Sequence, residues 1–195
     1  MTIGKIISAS THVDYVCQIH GAGETAATPL PADYSFGTFV TIDQRDGSSL
    51  VGLIVNTILM NPEFGNLGPR LSPEEDLAIF SPDYLAEQAT LVAIVAIGAR
   101  NADGTYSQGV PRVAADIDAG VNSMSDEEIA QFHHSGGRLA LGYLSLLQGM
   151  ASNPLISPLL QQLTLDLSTR FPEHAATLAV LRRNLAWRAA VLPAG

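Results

Sequence analysis

Two adjacent histidines, His133 and His134, and one cysteine, Cys17, are the side chains of this chain best suited to chemistry. Neighbouring residues on a helix diverge by about 100°, so His133 and His134 cannot grip one metal from a single face. The helical zinc spacing His-x-x-x-His is absent. Glu128 lies five and six residues before them, a poor match for a helical histidine–carboxylate pair. The pair therefore reads as surface or interface histidines, against the sharper alternative of a pH-sensitive contact or metal ligand. Cys17 allows no intramolecular disulfide and no cysteine cluster, and nothing nearby in sequence supplies a base to activate it. It reads as a small buried hydrophobe on a strand.

Other chemistry is weaker still. Glu74, Glu75 and Asp76 stand at a helix start, and Asp116 and Asp118 in a linker-like stretch, where solvated acids are the simplest reading. Acid–base work needs burial that separates their pKa values. Gly21-Ala22-Gly23-Glu24 has no following helix to complete a phosphate cradle. Ser8, Ser10 and Thr11 beside His12 lack a carboxylate to orient the imidazole, so no triad can be named.

Composition narrows the function classes. The 195 residues are 47% hydrophobic and 15% charged, which is not a disordered composition. The net charge is −9, with Lys5 the single lysine and Arg182-Arg183-Arg188 the one dense group of arginines. Tight binding to phosphate backbones needs clustered cations, so direct nucleic-acid binding is not expected. The longest apolar run, Thr90 to Gly98, is nine residues, against the roughly 18 a membrane helix needs. Met1-Thr2-Ile3-Gly4-Lys5 has no basic segment leading into an apolar one, so the expectation is a cytoplasmic protein without a signal peptide.

The elements that must position these residues fall into two halves. Residues 1–100 alternate apolar and polar and are punctuated by turns. Strands are expected at Ile3–Ser8, His12–Ile19, Thr38–Asp43, Leu50–Asn61 and Glu87–Ala99. Val13, Tyr15, Cys17 and Ile19 share one face of the second. Asp46-Gly47 suits a hairpin turn, and Gly52 inside the fourth strand marks a bulge or barrel corner. Ser72-Pro73 and Ser81-Pro82 are helix starts, so a short helical insertion is expected at about 62–86. Short strands with long insertions fit a small closed barrel, which removes exposed edges.

The barrel residues carry a resemblance. Ile3-Gly4-Lys5-Ile6-Ile7 with its small polar turn, then Phe36-Gly37-Thr38-Phe39-Val40-Thr41-Ile42, then Leu50-Val51-Gly52-Leu53-Ile54-Val55, resembles the HAS-barrel. This is the N-terminal barrel of HerA-type DNA translocases, shared with the ATP synthase α and β subunits. The likeness covers roughly residues 1–100, and Gly-Thr-Phe-Val stands where that family has Gly-x-Tyr-Val. The phosphate-binding Gly-x-x-x-x-Gly-Lys-Ser/Thr is missing, since the only lysine is Lys5. The resemblance thus implies a fold and a habit of docking onto partners or copies, without the ATPase.

The C-terminal half reads as helices, giving an α+β chain: a barrel over 1–110, a linker over 111–124 and a helical region over 125–195. Ser125-Asp126-Glu127-Glu128 is a capping box opening a helix from Asp126 to about Met150, broken at Gly136-Gly137. Leu155, Leu159, Leu163 and Leu167 form one stripe of a second helix. Pro172 opens the last, with Leu178, Leu181, Leu185 and Leu192 on one side. Trp187, Leu178, Leu181, Leu185 and Phe132 are the candidate interface residues; no catalytic residue, metal or cofactor is assigned. The expected function is a non-enzymatic binding or assembly module, whose barrel docks onto a protein partner or its own copies, in one version as accessory to a HerA-like translocase. The alternative is an enzyme or ligand-binding protein with a pocket between loop 20–36 and insertion 62–86, where His20, Glu24, Asp33 and Tyr34 would converge.

Overall fold

The computed structural model describes residues 1–60, 89–135, 137–150 and 152–191. The expected insertion at 62–86 and Leu192 lie outside them. Within the described residues the expected α+β architecture is found: an N-terminal closed β-barrel and four C-terminal helices.

Six antiparallel strands make the barrel: β1 (Thr2–Ala9), β2 (Asp14–Ile19), β3 (Phe39–Asp43), β4 (Ser49–Met60), β5 (Ala89–Arg100) and β7 (Gly120–Ser123). Their order is β2-β1-β7-β3-β4-β5, and pairing of β2 with β5 closes the ring. A three-residue strand, β6 (Tyr106–Gln108), adds to the outer side of β5. Closure needs bent strands, and the register supplies the bends. Val51 pairs with Gly98 but Gly52 pairs with Ala96, so Ile97 is one residue extra. Val55 is extra in the same way, as is Ile7 between β1 and β2. Gly52 sits at the first of these shifts, as its place in the sequence suggested.

The stretch read as a linker over 111–124 needs correcting. Residues 120–123 form β7, which bridges β1 and β3 and without which the ring would be open. Only Val121 of this strand is fully buried, so its local signal is faint and its strand character comes from two distant partners. Just before it, Asp116 and Asp118 do face solvent, beside Arg45 (2.9 Å) and Lys5 (3.4 Å). Exposed pairs of this kind are worth about 0–1 kcal/mol.

Two apolar cores share the barrel wall. One fills the ring, with Ile3, Ile6, Tyr15, Cys17, Ile42 and Ile94 among its members. The other lies between the outer face of β3–β5 and the helices, joining Phe39, Leu53 and Ile97 to Phe132, Leu147 and Leu163. Strand β4 over Ser49–Val55 and the middle of β5 are therefore buried on both faces, which explains the apolar runs there. Cys17 is fully buried inside the ring, and burial pushes its thiol up to about 12. It is expected to stay unmodified by thiol reagents at pH 8 in the native protein and to react at once in denaturant; rapid native labelling would contradict a filled barrel.

Helix α1 (Asp126–His133) opens with the capping box: Ser125 Oγ accepts from the Glu128 amide, and Glu128 accepts from the Ser125 amide at 2.8 Å. The single long helix expected to Met150 is not formed. The chain leaves α1 at His134 and makes a small hairpin, β8 (His134–Ser135) with β9 (Arg138–Leu139). Gly137 sits at φ +77°, which no helix continues through. Helix α2 (Leu144–Gly149) follows, then α3 (Ile156–Arg170) and α4 (Ala175–Val191). No described helix is long and apolar enough to cross a membrane.

Candidate docking surface

The surface is built on α4, which a 3-10 turn, Pro172–His174, launches from Phe171. Leu178 and Leu185 are seven residues apart, two helical turns, and both are buried against α3. Leu181 is half-buried beside them. The helix is apolar on more than this face. Val180 and Trp187 are 49% and 64% exposed, and with Arg183 they make one outward stripe at spacings of three and four. Arg182 and Arg183 are exposed and make no ion pair among the described residues. Tryptophan and arginine are the side chains most enriched at energetic centres of protein contacts.

The structure divides the expected interface residues. Phe132, Leu178 and Leu185 serve the chain's own core, at 2%, 1% and 8% exposure, so they are not surface contacts. Phe132 stacks on Tyr143 with ring centres 5.7 Å apart. Trp187 remains available, and Val180 and Arg183, which sequence reasoning passed over, join it. Their signal was present: all three fall off the Leu178–Leu185 stripe.

Clefts open on the described surface. One, of about 390 Å³, lies between loop residues Asp33, Phe36 and Thr38, the end of β7, and helices α1 and α3. Its lining is mostly polar, with Asp33 and Asp166 in it, and Phe36, Phe39, Met124 and Ile129 supply the apolar part. Asp33 accepts from the Leu30 amide at 2.8 Å, and Asp166 from the Gln162 amide group. Arg170 also lines it, but its guanidinium is paired with Asp126. Another cleft, about 440 Å³, is polar to the same degree. There Asn122 donates to both oxygens of Asp43 (3.1 and 3.2 Å) and accepts from the Thr2 hydroxyl at 2.7 Å.

Of the four residues offered for a pocket, His20 and Glu24 meet, at 3.2 Å, on an exposed turn where Glu24 also accepts from the Gly21 amide. Those bonds hold the Glu24 carboxyl below its usual range. Asp33 belongs instead to the cleft beside α1 and α3, and Tyr34 packs against the barrel core. Among the described residues no group of three or more histidine, cysteine or acidic side chains is set to hold a metal.

The histidine pair splits. His134 is exposed, as expected, but His133 is fully buried, which corrects the surface reading. Its Nδ1 lies 2.7 Å from the Ile129 carbonyl, which can only accept, so Nδ1 carries the proton. Nε2, 2.8 Å from Tyr143 Oη, then accepts the phenol hydrogen. Phe39, Phe132, Tyr143 and Phe171 surround the ring, with centroids 5.1 to 5.8 Å away. Desolvation there lowers the His133 pKa to about 4 and pushes the Tyr143 phenol up. The two form a neutral, fully satisfied lock between α1 and α2, not an acid–base pair open to substrate. Its helical position carries the clue: His133 is four residues after buried Ile129 and shares its stripe.

A family model described as a domain of unknown function matches residues 1–194. No curated protein matches the chain.

Proposed function

The chain belongs to that family, DUF8166, and from its own residues we propose that it is a non-enzymatic docking module that associates with protein through the outward face of α4. The observation that carries the reading is Trp187, the chain's one tryptophan, 64% exposed on a helix whose opposite side is committed to the core. A large aromatic left in water beside Val180 and Arg183, which makes no ion pair among the described residues, forgoes burial free energy that a partner surface recovers. The filled ring supports the same reading, since side chains occupy the space a barrel ligand would need.

The closed six-stranded barrel is compatible with the HAS-barrel resemblance. Under that resemblance the partner is a HerA-like translocase, with this chain as its accessory and the contact made by protein surfaces. The net charge of −9 favours such a route to DNA over direct binding.

The test compares wild type with Trp187→Ala, both first checked for unchanged circular dichroism. Association, measured by sedimentation of the purified chain alone and with its copurifying partners, is expected to weaken at least about tenfold in the variant. Equal association in both would remove Trp187 from the contact and the proposal with it.

A further inference from the structure

Resting on that docking reading, we infer that the partner of the α4 face is a second copy of this chain, and that Trp187 of one copy enters the cleft between loop 32–38 and helices α1 and α3 of the next. The two surfaces are complementary in shape class and in charge. The cleft holds about 390 Å³, and within its mostly polar lining Phe36, Phe39, Met124 and Ile129 supply an apolar part that an indole can meet. Asp33 and Asp166, which also line it, match Arg183 on the stripe of Trp187. Arg170, the cation among the described lining residues, is paired with Asp126, so Asp33 and Asp166 leave the cleft negative.

Charge also argues against the simplest alternative, α4 packed antiparallel on its own copy. That arrangement would bring Arg183 of both copies to the middle of the contact, where like charges repel. A stripe carrying Arg183 on a chain of net charge −9 meets acidic surface on a second copy, and the cleft adds two carboxylates beside a partly apolar wall. Knob and socket are different patches, so the contact is heterologous. Such contacts run head to tail and close into a ring or extend as a chain.

This predicts a complementation that no self-matching interface produces. A knob variant, Trp187→Ala with Arg183→Glu, keeps the socket. A socket variant, Asp33→Arg with Asp166→Arg, keeps the knob. Each alone is expected to be monomeric by analytical ultracentrifugation at concentrations where wild type forms larger species. Mixed, they are expected to form a 1:1 dimer that grows no further. If the arginine variant fails to fold, Asp33→Asn with Asp166→Asn keeps an acceptor for the Leu30 amide and should weaken self-association at least about tenfold. A wild type that stays monomeric at every concentration overturns the inference, as does a mixture that gives no dimer. If that monomer still loses a copurifying partner on Trp187→Ala, the docking reading survives and the second copy is wrong. If neither self-association nor partner binding responds to Trp187→Ala, both fall.

Discussion

Replacing Gly98 with valine is expected to destabilise the protein by about 3 kcal/mol, lowering its melting temperature by roughly 6–12 °C. Gly98 stands on β5 where two things converge. A Cβ there would run into the Ser107 carbonyl of β6 and lie 2.7 Å from the Phe132 ring of α1. The first obstacle is backbone and cannot swing aside. The second is a ring wedged between Phe39, Tyr106 and Tyr143. Relief would require β6 to lift or α1 to withdraw, and either move opens the core between barrel and helices. Gly98→Ala should show the same sign with a smaller loss. Calorimetry or thermal circular dichroism reads the result, and a melting point unchanged in the valine variant would contradict the close packing of α1 on β5.

The second large effect is an acid instability traceable to His133. Its folded-state pKa is about 4, against an ordinary value of 6.5, because burial penalises the charged ring. A depressed histidine means that the unfolded chain binds the proton more readily than the folded one. Stability is therefore complete above the unfolded pKa, near 6.5, and is lost progressively as pH falls from there toward 4. The gap corresponds to about 3 kcal/mol. Urea unfolding between pH 7 and pH 4.5 is expected to show midpoints that fall with pH, and the His133 ring signals should stay neutral to about pH 4. A flat midpoint over that range, or a His133 titration near 6.5, would show that the ring is not sealed among Phe39, Phe132, Tyr143 and Phe171.

Much of the barrel is visible in the sequence because its signals are local. Tyr15, Cys17 and Ile19 recur at every second position, with half-buried Asp14, Val16 and Gln18 between them, and all three belong to the core inside the ring. Gly52 announces a bulge that the register bears out. The Ser125–Glu128 box starts α1 where expected. The misses have the opposite character. Strand β7 has one fully buried residue and owes its conformation to β1 and β3, more than seventy positions away along the chain. The hairpin after α1 replaces a helix that Leu139 and Leu141 seemed to continue, because Gly137 takes a positive φ and the backbone turns back. His133 and His134 look alike in sequence, and only the distant rings of Phe39 and Phe171 decide which one is buried.

The candidate surface was half legible. Trp187 stands out as the only tryptophan, two residues past the buried Leu185 and so off its stripe. Phe132, Leu178 and Leu185 looked equally suited to an interface, because an amphipathic stripe does not say whether its cover comes from the same chain or another. Here α3 and the barrel wall provide it. The acidic cleft could not be read at all, since Asp33, Met124 and Asp166 come from three separate elements.

The emission of Trp187 reports directly on the surface proposed to dock, since the chain holds no other tryptophan. As wild-type protein is concentrated from a dilution at which it sediments as a monomer, the emission maximum should move to shorter wavelength in step with the rise in mass. An indole that stays as solvent-exposed in the assembled species as in the monomer would contradict the account, because the assembly would then be held by some other face.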